Sequence, residues 1–70
     1  MVLGMNLIIN GETVDALQVA TVADLAGWLR LPTFGAAIEL NGNVVKKADH
    51  AATKLCEGDR LEIVRLVGGG

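Results

Sequence analysis

Among the groups of this sequence able to do chemistry, the last one stands apart. Leu66-Val67-Gly68-Gly69-Gly70 carries an apolar run into three glycines and a carboxylate. Terminal glycines bring no side chain to a core and are costly to order. An ionised carboxylate resists nucleophiles, so using it requires activation by a partner, for instance as an acyl adenylate made with ATP. A thiolate or sulfide can then displace AMP. Glycine suits the position because it has no Cβ to block attack or to clash in a narrow channel. Three extended residues at about 3.3 to 3.6 Å each project such a carboxylate roughly 10 Å from the last element, enough to enter another protein's active site. The competing reading is an unstructured end.

The remaining candidates are sparse. His50 is the only histidine and Cys56 the only cysteine, which excludes an internal disulfide and a four-thiolate metal site. His50 reads as a loop or partly buried structural residue. Cys56, just before Glu57-Gly58-Asp59, reads as a small packing residue with no adjacent cation to activate it. Asp49, Glu57 and Asp59 are loop carboxylates without a visible second member for acid–base work. The glycine run precedes no helix, so it is not a phosphate cradle. No metal and no bound cofactor is expected; ATP belongs to the activating partner.

Composition bounds the rest. The 70 residues make one small domain with a thin core, and a hydrophobic fraction of 51% excludes disorder. No apolar run reaches the roughly 20 residues that span a bilayer. Six scattered Lys and Arg and a net charge of -2 argue against nucleic acid. The single cysteine and the lack of a signal-peptide pattern lead us to expect a reducing, cytoplasmic setting, and nothing demands more than a monomer. Met5 is an alternative start, so residues 1–4 read as an extension of a domain spanning 1–67, with 68–70 as a flexible tail.

The elements that must position the tail follow from periodicity. Met5 to Asn10 is apolar and β-branched, and Asn10-Gly11 signals a tight hairpin into a strand from about Glu12 to Val19, with an irregularity near Ala16. Thr21 reads as a helix N-cap with Asp24 in the first turn, and Val22, Leu25, Ala26 and Leu29 lie on one helical face. Trp28 reads as an edge-of-core residue, Gly27 as a close backbone approach, and Pro32 as the helix end. Ala36 to Asn41 is a strand, Asn41-Gly42 a second hairpin signal, and Val44-Val45 a short strand. Lys46 to Thr53 is a loop with a helical turn, and Arg60 to Val67 is the last strand. The class is α+β, a mixed four- to five-stranded sheet packed on one helix.

A sheet covered by a helix on one face should be polar on the other. Alternation places Leu61, Ile63 and Val67 on the covered face, and Val64 and Leu66 on the open one with Arg60 and Glu62. Ile8 joins them if the first and last strands are neighbours. The expectation is an apolar docking patch of Ile8, Val64 and Leu66 beside the tail.

The blocks Met5-Asn6-Leu7-Ile8-Ile9-Asn10-Gly11, Thr21-Val22-Ala23-Asp24-Leu25, Ile38 to Val45 and Glu57 to Ile63, running on to Val67-Gly68-Gly69-Gly70, resemble the ThiS family of sulfur carriers in thiamin biosynthesis. The resemblance covers nearly the whole chain from Met5. It implies a ubiquitin-like β-grasp fold, adenylation of Gly70 by an E1-like, ThiF-like enzyme, conversion to a thiocarboxylate, and sulfur donation on a ThiG-like thiazole synthase. By that implication Gly70 bears the chemistry, Gly69 threads the tail, Gly68 is spacer, and the chain is a cosubstrate rather than an enzyme. Two features depart from the family pattern. Lys46-Lys47-Ala48-Asp49-His50 stands where a proline and an aromatic are common, and no large aromatic stands near Val64. The small subunit of molybdopterin synthase shares the fold and tail but is longer, with prolines before its glycines. Another sulfur-carrier role, a ubiquitin-like modifier and a non-covalent interaction module are the alternatives.

Overall fold

The structure is a computed structural model that describes residues 4–32 and 35–65. Its elements run β1 (Gly4–Ile9), β2 (Glu12–Leu17), α1 (Val22–Trp28), β3 (Ala36–Leu40), β4 (Asn43–Val45), a 3₁₀-helix (Lys47–Ala52) and β5 (Arg60–Arg65). They form a five-stranded sheet in the order β2-β1-β5-β3-β4, in which β1 and β5 are parallel and every other pair is antiparallel. The last described strand is therefore central in the sheet. β1 begins at Gly4, paired with Leu17, one residue inside the expected extension.

Both hairpins turn on Asn-Gly, as expected. Asn10 and Gly11 have φ of 50° and 83°, and Asn41 and Gly42 have 50° and 89°. Positive φ at both central residues is the two-residue turn whose twist matches that of the strands it joins. β2 departs from expectation in a small way. Val14 and Ala16 alternate inward and Leu17 outward, so no slip occurs at Ala16. The irregularity falls two residues later, where Gln18 adopts φ 58° and re-aims the chain so that Val19 is buried.

The start of α1 is a full capping box. The Thr21 hydroxyl accepts from the Asp24 N–H at 3.1 Å, and the Asp24 carboxylate accepts from the N–H groups of Thr21 (3.1 Å) and Ala20 (3.0 Å). Those donors hold the Asp24 carboxyl below the ordinary aspartate value, the Ala20 N–H contributing most. The helix stops three residues before the expected breaker, Pro32. Arg30 takes φ 56°, its N–H donates to Gly27 O (3.1 Å), and the Leu31 N–H donates to Ala26 O (2.9 Å). That pair of bonds closes the last turn, and the left-handed residue is an arginine where glycine is usual.

Leu7, Ile9, Ala16, Val19, Val22, Leu25, Ile38, Leu55 and Leu61 make the core between the sheet and α1. Two expectations on the helix are corrected. Trp28 is 43% exposed rather than packed at the core edge. A Cβ on Gly27 would meet nothing within 4 Å among the described residues, so no close backbone approach explains this glycine. Gly27 lines a groove of about 540 Å³ with Ala23, Ala26, Ile38, Val45 and His50.

Candidate functional site

The site is built around the strand that leads to the tail. β5 is gripped at its entry and again at Ile63 by the side chains of the two hairpin asparagines. At its entry, Asn41 Oδ1 accepts from the Arg60 N–H (3.0 Å) and Nδ2 donates to Asp59 Oδ1 (3.1 Å). Farther along, two residues before the strand's last, Asn10 Oδ1 accepts from the Ile63 N–H (2.7 Å) and Nδ2 donates to Ile63 O (3.2 Å). β1 has ended by then, its last backbone bond to β5 running from the Asn10 N–H to Leu61 O at 2.9 Å. The Asn10 amide thus offers Ile63 the donor and acceptor that one more turn of ladder would have offered. Beside it lies a cleft of about 340 Å³ lined by Ile9, Asn10, Leu29, Leu31, Ile63 and Arg65.

The two faces of β5 separate as alternation requires. Leu61 is buried and Ile63 packs against the core, while Arg60, Glu62 and Val64 lie on the open face. Register decides what stands together there. Val64 pairs with Ala37, Glu62 with Glu39, and Glu39 in turn with Val44. Val64 is 46% and Val44 66% exposed. The outer surface near the end of β5 is therefore two valines and an alanine around a pair of glutamates.

Ile8 does not belong to that group. It shares the face and is half-buried, but it pairs with Arg60, four residues before Val64, or about 13 Å along the strand. The expected patch is thereby divided: Arg60 stands beside Ile8, and Glu62 lies between that pair and Val64. Sequence reasoning missed Ala37 and Val44 as companions of Val64. Alternation already turns Ala37 outward with Glu39, but only the β3–β5 register sets it beside Val64. Leu66, Gly68, Gly69 and Gly70 lie outside the described residues, as does Val67.

The other reactive groups serve the frame. His50 Nε2 sits 3.1 Å from Val45 O, a structural contact of a partly buried ring. Asp59 Oδ2 accepts from the Cys56 N–H at 2.8 Å, and Glu57 Oε1 from the Asn6 N–H at 3.0 Å, so both loop carboxylates bind backbone. Cys56 is exposed, and its neighbour Leu55 fills the buried position expected for it. The Leu55 N–H donates to Ala20 O (2.9 Å), which holds that segment in place beside the start of α1. Among the described residues, no group of three or more His, Cys, Asp or Glu side chains could hold a metal ion. No helix among them is long and apolar enough to cross a membrane.

Comparison with known proteins agrees with this geometry. The model of the ThiS family matches residues 6–70. A thiazole synthase of Paramagnetospirillum magneticum is 39% identical over 66 residues, covering 94% of this chain; the chain spans only 20% of that relative's length. The crystal structure of the thiamine biosynthesis protein ThiS from Geobacter metallireducens superposes with a TM-score of 0.79 at 30% identity, covering 94% of this chain and 100% of that one. The five-stranded mixed sheet on one helix is accordingly the β-grasp fold. With the family match extending over all but the first five residues, the chain belongs to the ThiS family.

Proposed function

We propose that this chain carries sulfur as a thiocarboxylate on Gly70. An E1-like, ThiF-like partner adenylates the Gly70 carboxylate with ATP and releases pyrophosphate. Sulfide then attacks the acyl carbon and displaces AMP, and the resulting thiocarboxylate donates its sulfur to thiazole formation on a ThiG-like synthase. The observation that carries this reading is that the family match runs through the glycines to residue 70. The relative named thiazole synthase, which contains a stretch similar to this chain, supports the synthase as second partner. Gly70 bears the reaction, while Gly69 and Gly68 keep the path to it thin.

Docking uses the open face at the end of β5. Val64 and Leu66 form its apolar part next to the tail, with Ile8 a separate contact farther along the sheet. Burying Val64 against a partner removes apolar area from water while leaving the covered face untouched. The chain is a protein cosubstrate and needs no cofactor of its own.

ATP–pyrophosphate exchange catalysed by the adenylating partner tests the reading. The full chain should support exchange, and a chain lacking Gly69 and Gly70 should support none while keeping its fold. Exchange that survives the deletion would refute Gly70 as the site of activation. Adducts linked to lysine side chains would favour a ubiquitin-like modifier instead.

A further inference from the structure

Asparagine-glycine turns need asparagine only for its tolerance of positive φ, and either hairpin could use glycine in its place. Asn10 does more. Backbone groups of a strand alternate sides, and those of Ile63 face the side from which β1 has withdrawn. Both are taken by one side chain, at 2.7 Å and 3.2 Å, across 53 residues of sequence. Among the described residues, Ile63 is the last of β5 to be hydrogen-bonded on that side, and only Val64 and Arg65 of the strand follow it.

We propose that Asn10 is a positioning residue for the activation reaction: its amide clamps β5 at Ile63 and so fixes the direction of the strand that leads to Gly70. The proposal rests on the thiocarboxylate reading above, because direction matters only if Gly70 must reach a reacting atom. β3 holds the other side of β5 through Ala36 and Ala37, paired with Arg65 and Val64. Without the Asn10 clamp β5 is held from one side only from Ile63 onward and is free to splay towards the cleft beside Leu29 and Leu31. A small error of angle at Ile63 is magnified over the length of the tail. A misplacement of about 1 Å at a reacting group can cost up to about 100-fold in rate.

The molecule supplies its own control. Asn41 occupies the same turn position, with the same φ of 50°, and its amide grips the entry of β5 instead of Ile63. Asn10→Gly and Asn41→Gly each keep a turn that glycine accepts and each remove a side-chain clamp. Two measurements compare them: backbone amide hydrogen exchange, and partner-catalysed ATP–pyrophosphate exchange resolved into kcat and KM for the carrier. Asn10→Gly should speed exchange of the Ile63 amide by roughly tenfold, since its hydrogen bond is lost. It should lower kcat by about 5- to 100-fold with KM within about twofold. Asn41→Gly should speed exchange at Arg60 and leave the Ile63 amide and kcat within about twofold of wild type.

Equal falls in kcat for the two variants would reduce Asn10 to a structural role and overturn the proposal, as would an Ile63 amide that exchanges no faster in Asn10→Gly. Asn10→Asp guards against an effect of the turn alone. It keeps the acceptor for the Ile63 N–H but sets an oxygen against the Ile63 carbonyl, so it should also lose kcat; wild-type kcat would contradict the clamp. A wild-type chain that the partner never adenylates would sink the thiocarboxylate reading itself, and the amide measurement would separate that failure from a failure of the clamp.

Discussion

The two faces of the sheet are made of the same strands and obey different rules. On the covered face, Leu7, Ile38 and Leu61 are fully or almost fully buried against Val22 and Leu25 of α1. Their identities are set by volume and by the absence of water. On the open face, Glu39 stands directly opposite Glu62, and Val44 and Val64 face solvent. Like charges placed opposite each other are unfavourable by up to about 1 kcal/mol, and exposed valines contribute little to a core. Folding does not account for that face. Stability resides on one side of β5, and the function proposed above puts recognition on the other.

Substitutions should divide along the same line. Leu61→Ala on the covered face should cost about 2 to 5 kcal/mol, a large part of what a domain of this size has, and thermal unfolding would show it as a drop of many degrees. Thr21→Ala removes the acceptor for the Asp24 N–H and should cost about 1 kcal/mol by the same measurement. Its partner Asp24 gives a pH dependence of definite sign. The folded carboxyl titrates below the ordinary aspartate value, so its contribution is complete above about pH 4 and is lost as pH falls through the lower folded value. Wild type should therefore lose stability in that acid window relative to Asp24→Asn, and parallel pH profiles of the two would contradict the capping account. Gly27→Ala should raise stability by up to about 1 kcal/mol, because the added methyl meets open space and the helix gains a better former. Val64→Glu on the open face should change stability by less than about 0.5 kcal/mol yet weaken activation by the adenylating partner. Unchanged activation kinetics would remove Val64 from the docking surface.

Much of this division is legible from residues alone. Asn10-Gly11 and Asn41-Gly42 mark both hairpins because few other pairs accept positive φ twice, and Thr21 with Asp24 marks the helix start because the bonds involved are local. Alternation in β5 assigns Leu61 and Val64 to opposite faces without any knowledge of neighbours. What fails is what depends on register and on distant partners. Ile8 shares a face with Val64, but only pairing with Arg60 reveals the separation between them. Trp28 reads as an edge-of-core residue and is 43% exposed, the buried positions of the same short helix being Val22 and Leu25. Arg30 gives no sign of ending a helix, because arginine seldom takes a left-handed conformation; the bonds to Gly27 and Ala26 impose it. The clamp from Asn10 to Ile63 spans 53 residues and leaves no mark in local pattern.

The central claim is that the domain docks while the reaction occurs at Gly70. Intact-mass analysis of the full chain, incubated with the adenylating partner, ATP and a sulfur source, tests it most directly. The account predicts replacement of one oxygen by sulfur, localised to Gly70 by fragmentation and absent from the chain lacking Gly69 and Gly70. An unchanged mass, under conditions that convert another ThiS-family carrier, would contradict it.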